Sequence, residues 1–145
     1  MPATPEQVRQ VIENYVRAWA SGDKALLLSL FAEDAVWSDP VGTPPFVGHA
    51  GIAAFWDFAH ADTSRQLSPK VNRIIACANE GLLDFVMQVR IPAQNQGLDL
   101  HLVDRFVINE QGRIQTAQAY WDESCASCPP GMQFFVPNID EAYKK

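Results

Sequence analysis

The sequence predicts an α+β fold in which three N-terminal helices pack on a curved, mostly antiparallel β-sheet. Apolar residues recur at three- and four-residue steps through about the first 60 positions, and at two-residue steps from about position 70 to 121. The later runs are joined by the turn signals Asn79-Glu80-Gly81 and Glu110-Gln111-Gly112, so consecutive strands are expected to pair as hairpins.

Each element follows from its own residues. In TPEQVRQVIENYVRAWASGD, Thr4 can cap a helix, Pro5 suits the first helical position and Gln7 completes a capping box. Val8, Val11, Ile12, Tyr15, Val16 and Trp19 then form one stripe that needs a partner surface. Ser21-Gly22-Asp23 ends that helix, and a second, roughly from Lys24 to Phe31, presents Leu26, Leu27, Leu30 and Phe31. From Ala35, AVWSDP reads as a short extended piece, and VGTPPFVG as a turn-rich loop. A third helix is expected from His49 to about Ala59, with Ser68-Pro69 stopping any continuation. Strands are expected over Lys70 to Ala78, then over a run whose one face holds Leu83, Phe85, Met87, Val89 and Ile91. After the loop Pro92 to Gly97, a strand carries Leu98, Leu100, Leu102, Asp104, Phe106 and Ile108 on one face, and Arg113 to Trp121 is the last.

The 145 residues are the length of one ordinary domain, read here as 1–145 with a Pro-containing C-terminal extension over 124–145. With 48% apolar and 19% charged residues, the chain can bury a core without metal or disulfide staples. Seventeen acidic against eleven basic side chains give a net charge of −6, and the basic ones are scattered except for Lys144 and Lys145. Nucleic acid and anionic membranes are therefore excluded as expected partners. MPATPEQVRQ lacks a basic then apolar leader, and no run approaches membrane-spanning length, so the cytoplasm is the expected compartment. Cys125 and Cys128 form C-A-S-C before Pro129-Pro130-Gly131, in a chain end that reads as coil, and are expected to be surface thiols rather than a redox or metal pair. Neither metal nor cofactor is expected: Cys77, His49, His60 and His101 are dispersed.

Asp104 is the anomaly of its strand, a carboxyl on a face otherwise apolar from Leu98 to Ile108. An unpaired charge there is costly, so the group either stays protonated, and can then donate a hydrogen bond to a substrate oxygen, or pairs with Arg105, Arg90 or solvent at a bulge. Tyr15 lies within the apolar stripe of the first helix, where its hydroxyl must find a partner: backbone, water or a ligand at a cavity mouth. Asp39, held before Pro40 and biased away from helical dihedrals, is a turn device or a carboxylate at a pocket edge. Together, one ionised carboxylate and two donors in apolar surroundings would make a proton-transfer site with an oxyanion hole.

Y-V-x-A-W followed by GD, then FAEDAVWSDPVGTPPFVGHAGIAAFW and HLVDRFVINEQGRIQTAQAYW, resemble the Δ5-3-ketosteroid isomerases of the NTF2-like, SnoaL-like superfamily of cone-shaped α+β folds, from about Glu6 to Tyr120. The resemblance implies that Asp39 in S-D-P-V-G is the general base, Tyr15 in E-N-Y-V the phenolic donor and Asp104 in V-D-R-F the protonated carboxyl donor. A carboxyl kept neutral in this way is established for that family. It further implies a cofactor-free steroid delta-isomerase acting on a small hydrophobic ketone, a 3-ketosteroid. Val36, Phe55, Trp56 and Phe85, with Met87, Leu102, Phe106 and Trp121, would line or support the slot for its rings. A homodimer through the convex sheet face is implied as well, where Val103, Val107, Ala117 and Ala119 are read as an apolar component.

The chain departs from the family at Trp56, where studied members place a tyrosine hydrogen-bonded to the donor tyrosine; an indole there can pack beside Tyr15 but cannot accept its proton. The loop Pro92 to Gly97 and the extension from Ser124 are also longer. Two other readings stand beside the isomerase: a cofactor-free isomerase or cyclase acting on another polycyclic ketone, and a non-catalytic module that binds a hydrophobic ligand.

Overall fold

A computed structural model of the chain describes residues 1–134. In chain order the elements are α1 (Pro5–Ser21), α2 (Lys24–Leu30), β1 (Phe31–Ser38), β2 (Phe46–Val47), α3 (Gly48–Ala59), β3 (Gln66–Cys77), β4 (Glu80–Ile91), β5 (Gln96–Ile108), β6 (Ile114–Tyr120), β7 (Ala126–Ser127) and β8 (Gln133–Phe134). The fold is α+β with a curved open sheet ordered β2-β1-β6-β5-β4-β3, antiparallel except where β1 runs parallel to β6 and β8 runs parallel to β5. The helices do not precede the sheet as a block of three, because β1 and β2 are made before α3.

Local chemistry sets the helix ends. Thr4 accepts from the Gln7 amide at 3.2 Å while Gln7 accepts from the Thr4 amide at 2.9 Å, so the capping box is complete. Gly22 closes α1 in the left-handed region at φ +68°. The Asp23 carboxylate then caps α2 through the Leu26 amide at 2.9 Å. α2 stops at Leu30, one residue earlier than its periodicity implies, and Phe31 is already the first, fully buried residue of β1. β1 therefore starts four residues before the expected extended piece, across a register shift between Phe31 and Val36.

β3 begins at Gln66 and contains Ser68-Pro69, which sequence reading treats as a stop. The sheet explains the difference: β3 is an edge strand, where a missing amide hydrogen is tolerated. The longest hairpin, β4 with β5, is in continuous register from Glu80↔Val107 to Ile91↔Gln96. That register places Leu83, Phe85 and Met87 opposite Asp104, Leu102 and Leu100 on one face. β6, β7 and β8 pair in succession along the other edge of β5, so the extension is not coil up to residue 134, and its remainder, 135–145, lies outside the described residues.

The helices cover the face bearing Asp104 and Phe106. α1 comes so close at Gly81 that a Cβ there would lie 2.4 Å from Ile12 Cδ1 and 2.8 Å from Val8 Cγ1. α3 lies over β1 and β2, and α2 bridges α1 to α3. Ala117 and Ala119 are opposite Phe106 and Asp104 in register and are buried beneath the helices. They therefore contribute to the core, not to the outer face, which carries Val103 and Val107 with Tyr120 and Leu82 instead. None of the described helices is long and apolar enough to cross a membrane.

Candidate active site

An open-mouthed cavity lies between the helices and the sheet, and Tyr15, Asp39 and Asp104 all line it. Its volume is about 150 Å³, a narrow slot that opens at its mouth to solvent. α1 supplies Tyr15 and Trp19, α3 supplies Phe55 and Ala59, and the β4–β5 hairpin supplies Phe85, Met87, Leu100, Leu102 and Asp104. Leu67 of β3, Asp39 just after β1 and Trp121 just after β6 complete the wall.

Asp104 is buried with no basic partner in contact among the described residues. Arg105 points to the other face, where it meets Glu80 at 2.7 Å and Gln118 at 2.9 Å. Arg90 is held by Asp99 at 2.8 Å. What Asp104 does meet is the Tyr15 hydroxyl, which donates to Oδ2 over a long 3.4 Å, while Oδ1 is buried without a hydrogen-bond partner. Burial pushes the Asp104 carboxyl well above the usual carboxylate range, the Asp39 charge pushes it further, and the Tyr15 hydrogen bond opposes both. These surroundings favour the neutral form of Asp104 and leave one of its oxygens unused in the cavity wall. Tyr15, packed edge-on against Phe106 at 4.9 Å and Trp37 at 6.0 Å, is pushed up by its own burial and by the same two carboxyls.

Asp39 is the more acidic of the two carboxyls. It is buried at 8% exposure, not set at a solvent-washed loop edge, and desolvation pushes it up to about 6 against the opposing pull of a Trp121 indole N–H that donates to Oδ1 at 2.7 Å. A group titrating near 6 is mostly ionised at pH 7 yet basic enough to take a proton, which is the compromise general-base chemistry needs. The arrangement therefore brings together two unequally placed carboxyls and a phenol, in surroundings that are otherwise apolar.

The expected lining residues divide. Phe55, Phe85, Met87, Leu102 and Trp121 reach the cavity. Phe106 and Trp56 lie behind it: Phe106 backs Tyr15, and Trp56 packs on Trp19 at 4.6 Å and His60 at 4.1 Å rather than beside Tyr15. Val36 is a correction. Its side chain is 37% exposed, because strand alternation turns the neighbouring Trp37, at 1%, towards the core. Sequence reading placed Trp19, Leu100 and, on the apolar side of the third helix with Ile52, Phe55 and Trp56, Ala59 on apolar stripes without assigning them to the site, and missed Leu67. One helical turn from Tyr15 to Trp19 is the spacing that would have found the first. The polar role of Trp121 had no signal beyond its place at the end of the last strand.

The matrix of elements and site belongs to a known class. A family model described as the SnoaL-like domain matches residues 12–117, and the chain belongs to that family, whose fold is NTF2-like. Among individual proteins, the chain is 27% identical over 115 residues to one named steroid Delta-isomerase from Nocardioides simplex, across 79% of this chain and 89% of the relative. It also superimposes, at a TM-score of 0.76 and 17% identity, on a solved structure described as the epoxide hydrolase/cyclase-like enzyme SalBIII in pyran ring formation in polyether salinomycin. That match covers 86% of this chain and 97% of the other, and speaks for the fold.

Proposed function

We propose that the chain is a cofactor-free isomerase that converts a 3-oxo-Δ5-steroid into its conjugated Δ4 isomer. The observation that carries the reading is the difference in surroundings of its two buried carboxyls: Asp39 accepts from the Trp121 indole at 2.7 Å and is pushed up to about 6, whereas burial and the Asp39 charge hold Asp104, beside Tyr15, well above the usual carboxylate range. The relative named steroid Delta-isomerase supports the substrate class.

In this mechanism the Asp39 carboxylate takes the proton from C4, and the C–H electron pair moves into the C3–C4 bond as O3 becomes a dienolate oxygen. Tyr15 and Asp104 donate to O3, stabilising the charge that develops there. Protonated Asp39 then gives the same proton to C6: the C5=C6 pair forms the new C6–H bond, the C3=C4 pair moves to C4=C5, an O3 lone pair reforms the carbonyl, and the enzyme ends as it began. Phe55, Phe85, Met87, Leu100 and Leu102 exclude water and hold the ring system, and Trp121 steers the Asp39 carboxylate. The working unit in this proposal is a homodimer joined through the outer sheet face.

The test is ultraviolet detection of the conjugated enone formed from a Δ5-3-ketosteroid, run beside other enolisable polycyclic ketones. Turnover of the steroid is expected. Conversion of only the other ketones would move the assignment to a cyclase or isomerase of different substrate, and tight steroid binding without turnover would make the chain a binding module.

A further inference from the structure

Trp19 is unaccounted for by that mechanism. Its indole Nε1–H is buried in the cavity wall and makes no hydrogen bond of full geometry among the described residues, and an unmet buried donor carries a standing cost. It lies one turn beyond Tyr15 on α1, so the two side chains share a face, with ring centres 6.4 Å apart. The indole is clamped by Trp56 at 4.6 Å and edge-on by Trp37 and Phe55, each at 6.3 Å. Its N–H is near enough to favour the ionised form of the Tyr15 phenol.

The phenol oxygen has a free lone pair as well as its one proton. In the resting site that proton is turned to Asp104 Oδ2 at 3.4 Å, a weak engagement. We infer that the Trp19 indole N–H donates to the Tyr15 phenolic oxygen when Tyr15 turns its proton from Asp104 to the ligand oxygen. As a ligand oxyanion draws on the phenol proton, negative charge builds on the phenol oxygen, and a fixed donor behind it stabilises that charge. Indole is a donor only, so no proton is transferred from Trp19. Trp19 is thus a positioning residue that acts through Tyr15, and its place in catalysis rests on the isomerase reading above.

The test has a readout that does not depend on activity. The four tryptophan indoles give separate 15N-bound proton signals, and that of Trp19 is the one lost in Trp19→Phe. Saturating the protein with 2-naphthol, a fused-ring phenol whose oxygen stands in for O3, is expected to move the Trp19 indole proton downfield, and Tyr15→Phe to abolish the movement. No movement in the unaltered protein would overturn the inference. So would an undiminished movement in Tyr15→Phe, which would mean that the indole binds the ligand directly. In kinetics, β-(3-benzothienyl)alanine at position 19, with sulfur in place of N–H, is expected to lower kcat about tenfold with KM held within about twofold, as for loss of a donor to developing charge. Unchanged kcat would overturn it. A downfield shift in a protein that turns over no ketosteroid would sink the isomerase reading while upholding the hydrogen bond.

Discussion

A carboxyl on an apolar strand face can serve catalysis only if its surroundings fix its protonation state, and Asp104 and Asp39 show how two acids in one cavity are separated. Asp39 keeps a neutral N–H donor, Trp121, that favours its charge; Asp104 faces that charge and meets one long hydrogen bond. Replacing Asp104 by Asn preserves a donor to the ligand oxygen, whereas Ala removes it. Turnover at saturating ketosteroid is therefore expected to fall further in Asp104→Ala than in Asp104→Asn, with the Ala loss at about 10²–10³-fold, the cost of an oxyanion donor. Equal losses would argue against donation. The same burial has a stability cost. With the folded pKa of Asp39 raised from 3.8 to about 6, the folded protein retains a proton that the unfolded chain releases, so stability falls as pH rises across that window. Asp39→Asn keeps an acceptor for Trp121 and removes the Asp39 share of this fall, leaving the share that the raised Asp104 contributes. At pH 7 it is expected to be more stable than the native chain, read from urea unfolding at several pH values, and equal stability at pH 7 would argue against the raised Asp39 carboxyl.

The elements that position these residues meet at a few points without slack. Gly81 lets α1 lie directly on β4, and α1 carries both Tyr15 and Trp19. Adding a methyl group there meets Ile12 Cδ1 and Val8 Cγ1 closer than 3.0 Å, so these buried side chains must shift, and Gly81→Ala is expected to cost about 1–3 kcal/mol, the usual cost of overpacking, with a lowered Tm. An unchanged Tm would mean that α1 rides more loosely than its packing implies. α1 was legible in the sequence because cap, stripe and terminator agree, and β4 and β5 because their alternation is unbroken. The first half of β1 was not, since Ala32-Glu33-Asp34 carries no period-two signal and crosses a register shift, whereas its second half from Ala35 was read as extended. β2, β7 and β8 are two residues each and exist through tertiary pairing, which no local pattern encodes. Parity was the other limit: Val36 and Trp37 are both apolar, and only the sheet decides which one faces the core. Within the site, Asp104 was visible as an exception to a pattern. Trp19, being apolar on an apolar stripe, was visible only as core.

At the scale of the molecule, the outer sheet face is less apolar than the sequence implied once Ala117 and Ala119 are assigned to the core, yet Val103 at 39%, Tyr120 at 49% and Leu82 at 38% exposure are still turned outward there. The Arg105–Glu80 ion pair crosses the same face. If two copies associate through it, light scattering at micromolar concentration gives about twice the 16.1 kDa chain mass, and Val103→Arg lowers that mass towards one chain. A chain-mass value for the native protein would remove the proposed dimer. Helices, hairpin and cavity together serve one claim, that Asp39 carries a proton across the ligand while Tyr15 and Asp104 hold its oxygen. The most direct measurement is kcat/KM for a Δ5-3-ketosteroid across pH, followed by the absorbance of the conjugated product, for the native chain and Asp39→Asn. The account predicts native activity that rises with pH through an apparent pKa near 6 and then levels, and an Asp39→Asn protein slower by several decades with that limb lost. Turnover in Asp39→Asn close to native, with the same limb, would contradict it.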